Sequence, residues 1–185
     1  MATWGQMWFI EHLDIDSLTA GSIISVFEIG GFCGATSSGF FADYMAKRHG
    51  GSRETPRSYS LVLFSSIACL SCLALLTLGT QLSICRICCF FYGYGMYGAI
   101  AMFGLIAREF VPSGHGGLAS AALAVASQVG AFLACAPLAW LVGQKSFSEA
   151  FWIVTYCLPV ALVMFAGMTS VNGKYIEKRV SKVTD

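Results

Sequence analysis

The stretch Gly39-Phe-Phe-Ala-Asp43-Tyr-Met-Ala-Lys47-Arg48 joins a long apolar run to a basic segment. The apolar run before it, residues 21–42, contains a single charged side chain, that of Glu28. Basic residues continue after it: His49, Arg53 and Arg57. An apolar span followed by clustered lysine and arginine is typical of a membrane helix whose basic end stays in the cytoplasm. The stretch therefore predicts a membrane protein and fixes the orientation of its first span.

The composition excludes an ordinary soluble domain. Of the 185 residues, 56% are hydrophobic, 14% are aromatic and only 11% are charged, and the mean hydropathy is +0.69. Soluble domains average about 25% charged residues. Basic side chains lie in short segments beside apolar runs, so no basic face exists to bind nucleic acid. The sequence predicts an all-α integral membrane protein surrounded by membrane lipid.

Five apolar runs are each long enough to cross a hydrocarbon layer of about 30 Å. They cover residues 18–42, 59–78, 83–107, 118–142 and 151–171 within a predicted bundle over 17–172. Residues 1–16 are predicted to form an interfacial stub on the non-cytoplasmic side. Its aromatic residues Trp4, Trp8 and Phe9 suit an aromatic belt, and Asp16 or Ser17 is expected to cap the first span. Residues 173–185 form a polar, basic tail.

Basic residues collect on one side of this arrangement. That side carries Lys47, Arg48, Arg53, Arg57, Arg108, Lys174, Lys178, Arg179 and Lys182. The opposite side carries only Arg86 and Lys145. The bias places the first loop, the third loop and the C-terminus in the cytoplasm. At the far mouth, Arg86 either snorkels to the interface or attracts an anionic substrate.

Small residues predict how the first span packs. Gly30 and Gly34 form a GxxxG pattern that Ser38 continues. Small residues at this spacing allow helix backbones to approach closely in lipid, so the first span is expected inside a helix bundle. The following segment, residues 43–57, is expected to be a loop, because Gly50, Gly51 and Pro56 disfavour a helix.

The eight cysteines include Cys69-x-x-Cys72 and Cys85-x-x-Cys88. In a soluble protein this spacing would indicate a zinc site. At membrane depth, thiolates and a divalent ion would be desolvated at high cost. The cysteines are therefore interpreted as small apolar packing residues, and no metal or other cofactor is expected. No nucleophile–base or carboxylate pair is placed for catalysis, so the chain is not expected to be an enzyme.

Several motifs resemble a known family. The pattern Gly39-x-x-x-Asp43-x-x-x-Lys47-Arg48 after a small-residue helix resembles the signature loop of the major facilitator superfamily. Further segments are similar to the C-terminal half of the sugar-phosphate/phosphate exchanger family, especially its glucose 6-phosphate exchangers of the endoplasmic reticulum. These segments are Trp4-Gly5-Gln6, Glu28-Ile-Gly-Gly31, Tyr97-Gly-Ala-Ile-Ala-Met-Phe-Gly-Leu-Ile-Ala107 with Glu109, Gln128-Val-Gly-Ala-Phe-Leu-Ala134, Ala150-Phe-Trp152 and Arg179-Val-Ser-Lys182.

The resemblance implies a fold of twelve helices in two halves, with substrate bound between the halves near mid-membrane. The five predicted transmembrane helices would then form most of the C-terminal six-helix half, and the stub would match the end of the helix before them. The implied activity is antiport of glucose 6-phosphate, an organophosphate, against inorganic phosphate by alternating access in the endoplasmic reticulum membrane.

The resemblance also implies that a partner is missing. The family's phosphate-binding arginines lie on the first helix of each half, and both helices are absent from this chain. The missing N-terminal half is therefore an expected partner, and the chain alone is not expected to transport. The alternative is a non-transporting membrane protein that binds or regulates a full-length transporter.

Four polar residues are candidates for the substrate cavity: Glu28, Tyr94, Tyr97 and Gln128. The carboxylate of Glu28 either pairs with a cation or a sugar hydroxyl, or joins helices by bonding to Tyr94 or Gln128. Tyr94 and Tyr97 are three residues apart and share a helix face. Their hydroxyls suit sugar or phosphate oxygens, whereas their rings could simply pack against glycines. The Gln128 amide serves either substrate or helix–helix hydrogen bonding.

A second set, Gly39, Asp43, Lys47 and Arg48, carries the superfamily motif. The resemblance implies a conformational latch, in which the carboxylate binds the positive N-terminus of a neighbouring helix and the basic residues pair across to the other half. The alternative is that these charges only set the topology.

Overall fold

The computed structural model describes residues 2–48, 54–79, 81–109 and 114–144, and singly residues 149, 152, 159, 160, 163 and 167. The described ranges form α-helices and contain no strand. The helices are α1 (Ala2–Leu13), α2 (Ser17–Arg48), α3 (Glu54–Leu78), α4 (Leu82–Glu109) and α5 (Gly116–Gln144). The all-helical prediction is confirmed.

Four of these helices contain a segment that is long and apolar enough to cross a membrane. The segments are Ser17–Met45, Tyr59–Leu78, Leu82–Arg108 and Gly116–Leu133. They match the first four predicted spans, and the chain is a multi-pass membrane protein. The predicted fifth span, 151–171, lies outside the described residues except for single positions, and the tail lies wholly outside them.

The predicted loop over residues 43–57 is wrong in its extent. Helix α2 continues beyond the apolar run to Arg48, and α3 already begins at Glu54. Methionine, alanine, lysine and arginine are strong helix formers, so the segment after Ala42 extends the helix past its apolar part. Pro56 lies in the first turn of α3, where its missing N–H costs no helical hydrogen bond.

Helix α4 is the centre of the bundle. It packs extensively against both α2 and α3, whereas α2 and α3 contact each other much less. Gly30 of α2 lies against the backbone of Phe90, and Gly34 lies against the backbone of Tyr94. Contacts that advance together along both helices mean that α2 and α4 run parallel. The close approach predicted from the GxxxG pattern is confirmed.

The opposite face of α4 meets α3 through other glycines. A Cβ at Gly95 would lie 2.7 Å from the carbonyl oxygen of Phe64, and one at Gly98 would collide with the Phe64 ring. Phe64 also belongs to a buried apolar cluster near the far end of α4, which comprises Ala42, Leu61, Phe64, Ala99 and Met102. Toward α2, an added Cβ at Gly93 would meet the backbone of Phe27. Glycines on two faces of α4 therefore let one helix pack tightly on two neighbours.

Helix α1 packs against the end of the bundle at which α2 and α4 begin. Trp8 and Phe9 are only 1% and 3% exposed. They form a cluster with Ala20, Ile23, Leu75, Cys85 and Cys89. The expectation that these two rings belong to a membrane-facing aromatic belt is wrong, because both rings fill the notch between α2, α3 and α4. The cysteines in this cluster pack as apolar residues, as the sequence predicted.

Asp16 caps the first spanning helix. Its carboxylate oxygen Oδ2 accepts the backbone N–H of Thr19 at 3.3 Å, and its backbone carbonyl accepts the N–H of Ala20 at 3.0 Å. These are the contacts of an N-cap residue. Of the two caps that the sequence allowed, the structure selects Asp16. Hydrogen bonds from Thr19 lower the pKa of the Asp16 carboxyl below its usual value of 3.8.

We expect this cap to stabilise the fold in a pH-dependent way. Because the pKa is lower in the folded state, the cap stabilises α2 above the unfolded value of 3.8 and loses that contribution as pH falls through the folded pKa. In Asp16→Asn the amide still caps the helix but does not titrate. Melting curves in detergent between pH 5 and pH 3 should show a smaller fall in Tm for Asp16→Asn than for the wild type. Parallel curves for the two proteins would contradict the assignment.

Helix α5 is the most open of the spanning helices. It packs mainly against α4, and none of its described side chains is buried. Near the end of α4, the Nε of Arg108 donates a hydrogen bond of 2.8 Å to the Ser120 hydroxyl. The described part of α5 therefore adds a loosely covered helix to a tight core of α2, α3 and α4.

Candidate functional site

The candidate site is built on one hydrogen bond between α2 and α4. The hydroxyl of Tyr97 donates to Oε2 of Glu28 at 2.8 Å. Glu28 is exposed on α2 and Tyr97 is partly buried on α4. The structure therefore satisfies an intramembrane carboxylate through a neighbouring helix, and the Glu28 side chain stays exposed.

Two neighbours on α2 determine the position of the Tyr97 ring. Gly31 lies directly against the ring, and a Cβ at this position would collide with it. The Phe27 ring packs edge-on against the Tyr97 ring, with centroids 5.8 Å apart and an interplanar angle of 62°. A glycine that makes room and a phenylalanine that supports the ring thus hold the hydroxyl at Glu28.

Tyr94 makes a separate contact with α2. Its hydroxyl is hydrogen-bonded to the hydroxyl of Ser37 at 2.7 Å. Its ring lies against Phe64 of α3, with centroids 5.4 Å apart. Tyr94 therefore joins three helices, and its hydroxyl is engaged within the bundle.

The hydroxyls of Tyr97 and Tyr94 bond to residues at different depths in the membrane. Tyr97 bonds to Glu28, whereas Tyr94 bonds to Ser37. At 1.5 Å per residue, these two partners lie about 13 Å apart along α2. Both tyrosines face α2, but the structure does not bring their hydroxyls together at one small ligand.

Gln128 stands apart from this pair. It lies on α5 and is exposed. No hydrogen bond joins it to Glu28 or Tyr94 in the described part of the chain. The expected helix-joining bond from Glu28 to Tyr94 or Gln128 is therefore wrong, because Glu28 bonds to Tyr97 instead. A substrate role for Gln128 stays a prediction.

The motif residues lie on the last turns of α2, not in a loop. Asp43, Lys47 and Arg48 are exposed. A Cβ added at Gly39 would meet no atom within 4 Å. Among the described residues, no hydrogen bond joins the Asp43 carboxylate to a helix N-terminus, so the latch stays a prediction.

Sequence reasoning did not single out Ser37 and Phe27 as functional neighbours. Ser37 is one of several small residues of the first span, and its role depends on Tyr94 facing it. Phe27 immediately precedes Glu28 in the sequence. Helical spacing shows which residues of α2 share a face. It does not show which residues of α4 they contact, because that depends on the register between the two helices.

Several curated proteins are similar to this chain, two of them over most of its length. Membrane sensor protein UhpC of Escherichia coli is 25% identical over 162 residues, which is 87% of this chain. Membrane sensor protein UhpC of Salmonella typhimurium is 28% identical over the same number of residues. The chain resembles bacterial membrane sensor proteins.

The chain spans about a third of the length of these relatives, since the match covers 35% of each of them. No family model matches the chain, and no solved structure matches it. The similarity is consistent with the broad membrane-protein family suggested by the sequence motifs.

Proposed function

We propose that the chain is the C-terminal part of a sugar-phosphate/inorganic phosphate antiporter that works by alternating access. The observation that carries the proposal is the bond between Tyr97 and the exposed Glu28, a polar pair on two helices in backbone contact. A carboxylate fixed in this way can accept hydrogen bonds from sugar hydroxyls. The motif segments and the similarity to membrane sensor proteins support the same reading.

The finer assignments rest on the resemblance. We propose glucose 6-phosphate as the organophosphate, as in the glucose-6-phosphate translocase, and the endoplasmic reticulum as the location. A cytoplasmic C-terminus is part of the proposal, and the positive-inside rule supports it because Lys47, Arg48 and Arg108 lie in the last turns of α2 and α4. No catalytic role is proposed.

We further propose that these helices do not transport without a partner half. A doubly charged phosphate needs several cationic donors to offset its desolvation. In the middle of the described spanning helices, Glu28 is the one side chain that is a carboxylate or a cation. Because it is an acid, it cannot offset the charge of a phosphate. The missing cations would come from the N-terminal half of a full-length transporter.

The test uses the endogenous polypeptide. An antibody against the peptide 174–185 recovers it from cell membranes, and its intact mass gives its full length. After reconstitution into phosphate-loaded liposomes, external glucose 6-phosphate should exchange for internal phosphate. The 185-residue chain reconstituted alone should give the rate of protein-free liposomes. Exchange by this chain alone would overturn the requirement for a partner, and no exchange by the endogenous polypeptide would overturn antiport.

Tyr97→Phe, introduced into the exchanging polypeptide, should raise the half-saturating concentration of glucose 6-phosphate. Loss of a hydrogen bond to a charged group corresponds to about a tenfold change. Tyr92→Phe is the matched control, because the Tyr92 ring also packs on Phe27, with centroids 5.6 Å apart, but its hydroxyl is not bonded to Glu28. The control should shift the value less than about twofold. Equal shifts in both variants would remove Tyr97 from the site.

A second candidate function is favoured by the relatives, which are named as membrane sensors. On this reading the chain belongs to a membrane protein that binds ligand, or regulates a full-length partner, without transporting. Equilibrium binding of radiolabelled glucose 6-phosphate to the reconstituted polypeptide, with no exchange across the bilayer, would support the sensor. Binding together with exchange supports the antiporter.

A further inference from the structure

Arg86 is held in a defined position at the end of the bundle that carries α1. It lies close to the start of α4, and its side chain is exposed. Its Nη2 donates a hydrogen bond of 3.3 Å to the hydroxyl of Ser22 on α2. The Ser22 hydroxyl in turn lies 2.7 Å from the backbone carbonyl oxygen of Thr19. The guanidinium is therefore tied to the neighbouring helix and does not simply extend into solvent.

The guanidinium keeps most of its hydrogen-bonding capacity. An arginine side chain has five N–H donors in a planar fork, and the bond to Ser22 uses one of them. Within the described ranges no carboxylate forms an ion pair with Arg86. Asp16 is six residues before Ser22, about 9 Å along α2, and its Oδ2 accepts the N–H of Thr19.

The depth of Arg86 suits a phosphate ligand. At 1.5 Å per residue, its Cα lies about 6 Å from the first residue of α4, Leu82. Charged side chains at such helix ends reach the headgroup level of a bilayer. Both the phosphate of a lipid and a phosphate ion arriving from solution are present at that level, and a planar guanidinium binds either through two parallel hydrogen bonds.

We propose that Arg86, positioned by Ser22, is a binding site for a phosphate group at the α1 end of the α2–α4 interface. The ligand is the phosphate of an anionic lipid or free inorganic phosphate, which share the chemistry that the guanidinium recognises. This site lies outside the Glu28–Tyr97 pair and does not depend on the proposed antiport. An arginine that only snorkels would need no serine at this position.

The experiment measures the reactivity of individual arginines. The purified chain in dodecyl maltoside, which contains no phosphate, is treated with phenylglyoxal, and adducts are quantified by peptide mass spectrometry. One arm adds inorganic phosphate and the other adds phosphatidic acid. Arg48, an exposed arginine at the opposite end of α2, is the internal control for general attraction of anions.

At saturation, one or both ligands should slow modification of Arg86 by about tenfold and of Arg48 by less than about twofold. Ser22→Ala should raise the ligand concentration needed for protection by about fivefold. Ser25→Ala should leave it unchanged, because the Ser25 hydroxyl bonds only to its own helix, at the Gly21 carbonyl oxygen at 3.1 Å.

The two arms identify the source of the phosphate. Protection by inorganic phosphate supports a site for the free ion, and protection by phosphatidic acid alone supports a lipid site. Equal protection of Arg86 and Arg48, no protection of Arg86 by either ligand, or equal results for Ser22→Ala and Ser25→Ala would overturn the proposal.

Discussion

Replacing Trp8 with alanine should destabilise the protein by about 3–5 kcal/mol, the range for removing a large aromatic side chain from a packed core. The Trp8 side chain is 1% exposed. It packs with Phe9, whose ring centroid is 5.1 Å away, and is stacked with His12 at 4.6 Å. Its removal leaves a cavity where α1 meets the longer helices, and the surrounding side chains can fill that cavity only in part.

The expected loss of stability is large because α1 has few other contacts that hold it against the bundle. A helix of 12 residues is marginal without tertiary packing. Its strongest contacts are the two buried rings, and its polar contacts are weak by comparison: the Gln6 amide donates to the carbonyl and hydroxyl oxygens of Ser17 at 3.3 Å. We therefore expect α1 to detach in Trp8→Ala.

Two measurements on the same samples check this prediction. Unfolding in dodecyl maltoside with increasing SDS, followed by circular dichroism, gives the change in stability. Limited proteolysis reports whether α1 has become accessible. Ile10→Ala is the control from the same helix, since Ile10 is 37% exposed, and it should cost less than about 1 kcal/mol. Similar stability losses in the two variants would show that Trp8 does not hold α1.

Gly34→Ala should destabilise the bundle by about 2–3 kcal/mol, although it adds one methyl group. The ideal position of that methyl group lies 2.7 Å from the Tyr94 carbonyl carbon. Backbone atoms cannot rotate away as a side chain can, so α2 and α4 must separate. Their separation also weakens the hydrogen bond between Ser37 and Tyr94.

The matched control is Gly104→Ala on α4, where an added Cβ meets no atom within 4 Å. With no steric contact, the gain in helix propensity should stabilise the protein by roughly 0.5–1 kcal/mol. The two substitutions are chemically identical and should differ in sign. SDS unfolding curves measure both, and a shift in the same direction for both glycines would argue against backbone contact at Gly34.

The hydropathy of the sequence was sufficient to predict the four spanning helices that the structure describes. The spans could be found because about twenty apolar residues are needed for a helix to cross a bilayer, and a helix satisfies its own backbone hydrogen bonds there. The end of α2 was less predictable, since the segment from Asp43 to Arg48 carries three charges yet contains strong helix formers. The burial of Trp8 could not be foreseen, because an aromatic residue next to a span suits both a headgroup belt and a core.

The candidate site was predictable in its residues but not in its pairs. Glu28 stands out as an acid inside an apolar run, and Tyr97 as one of three tyrosines on α4. Which tyrosine reaches the acid depends on the offset between α2 and α4. That offset is determined by the contacts of Gly30 with Phe90 and of Gly34 with Tyr94. The GxxxG pattern of α2 alone does not predict it, because it depends on the surfaces of both helices.

The backbone contact between α2 and α4 has a mechanical consequence. Where side chains separate two helices, changes of rotamer can absorb a small slide of one helix along the other. At Gly30 and Gly34 no side chain lies between the helices, so a slide of even a fraction of a turn would drive peptide groups together. The two helices should therefore tilt as one rigid body, within which the hydrogen bond between Glu28 and Tyr97 is unchanged. Movement within the described bundle is then left to α5, whose lateral contacts are few.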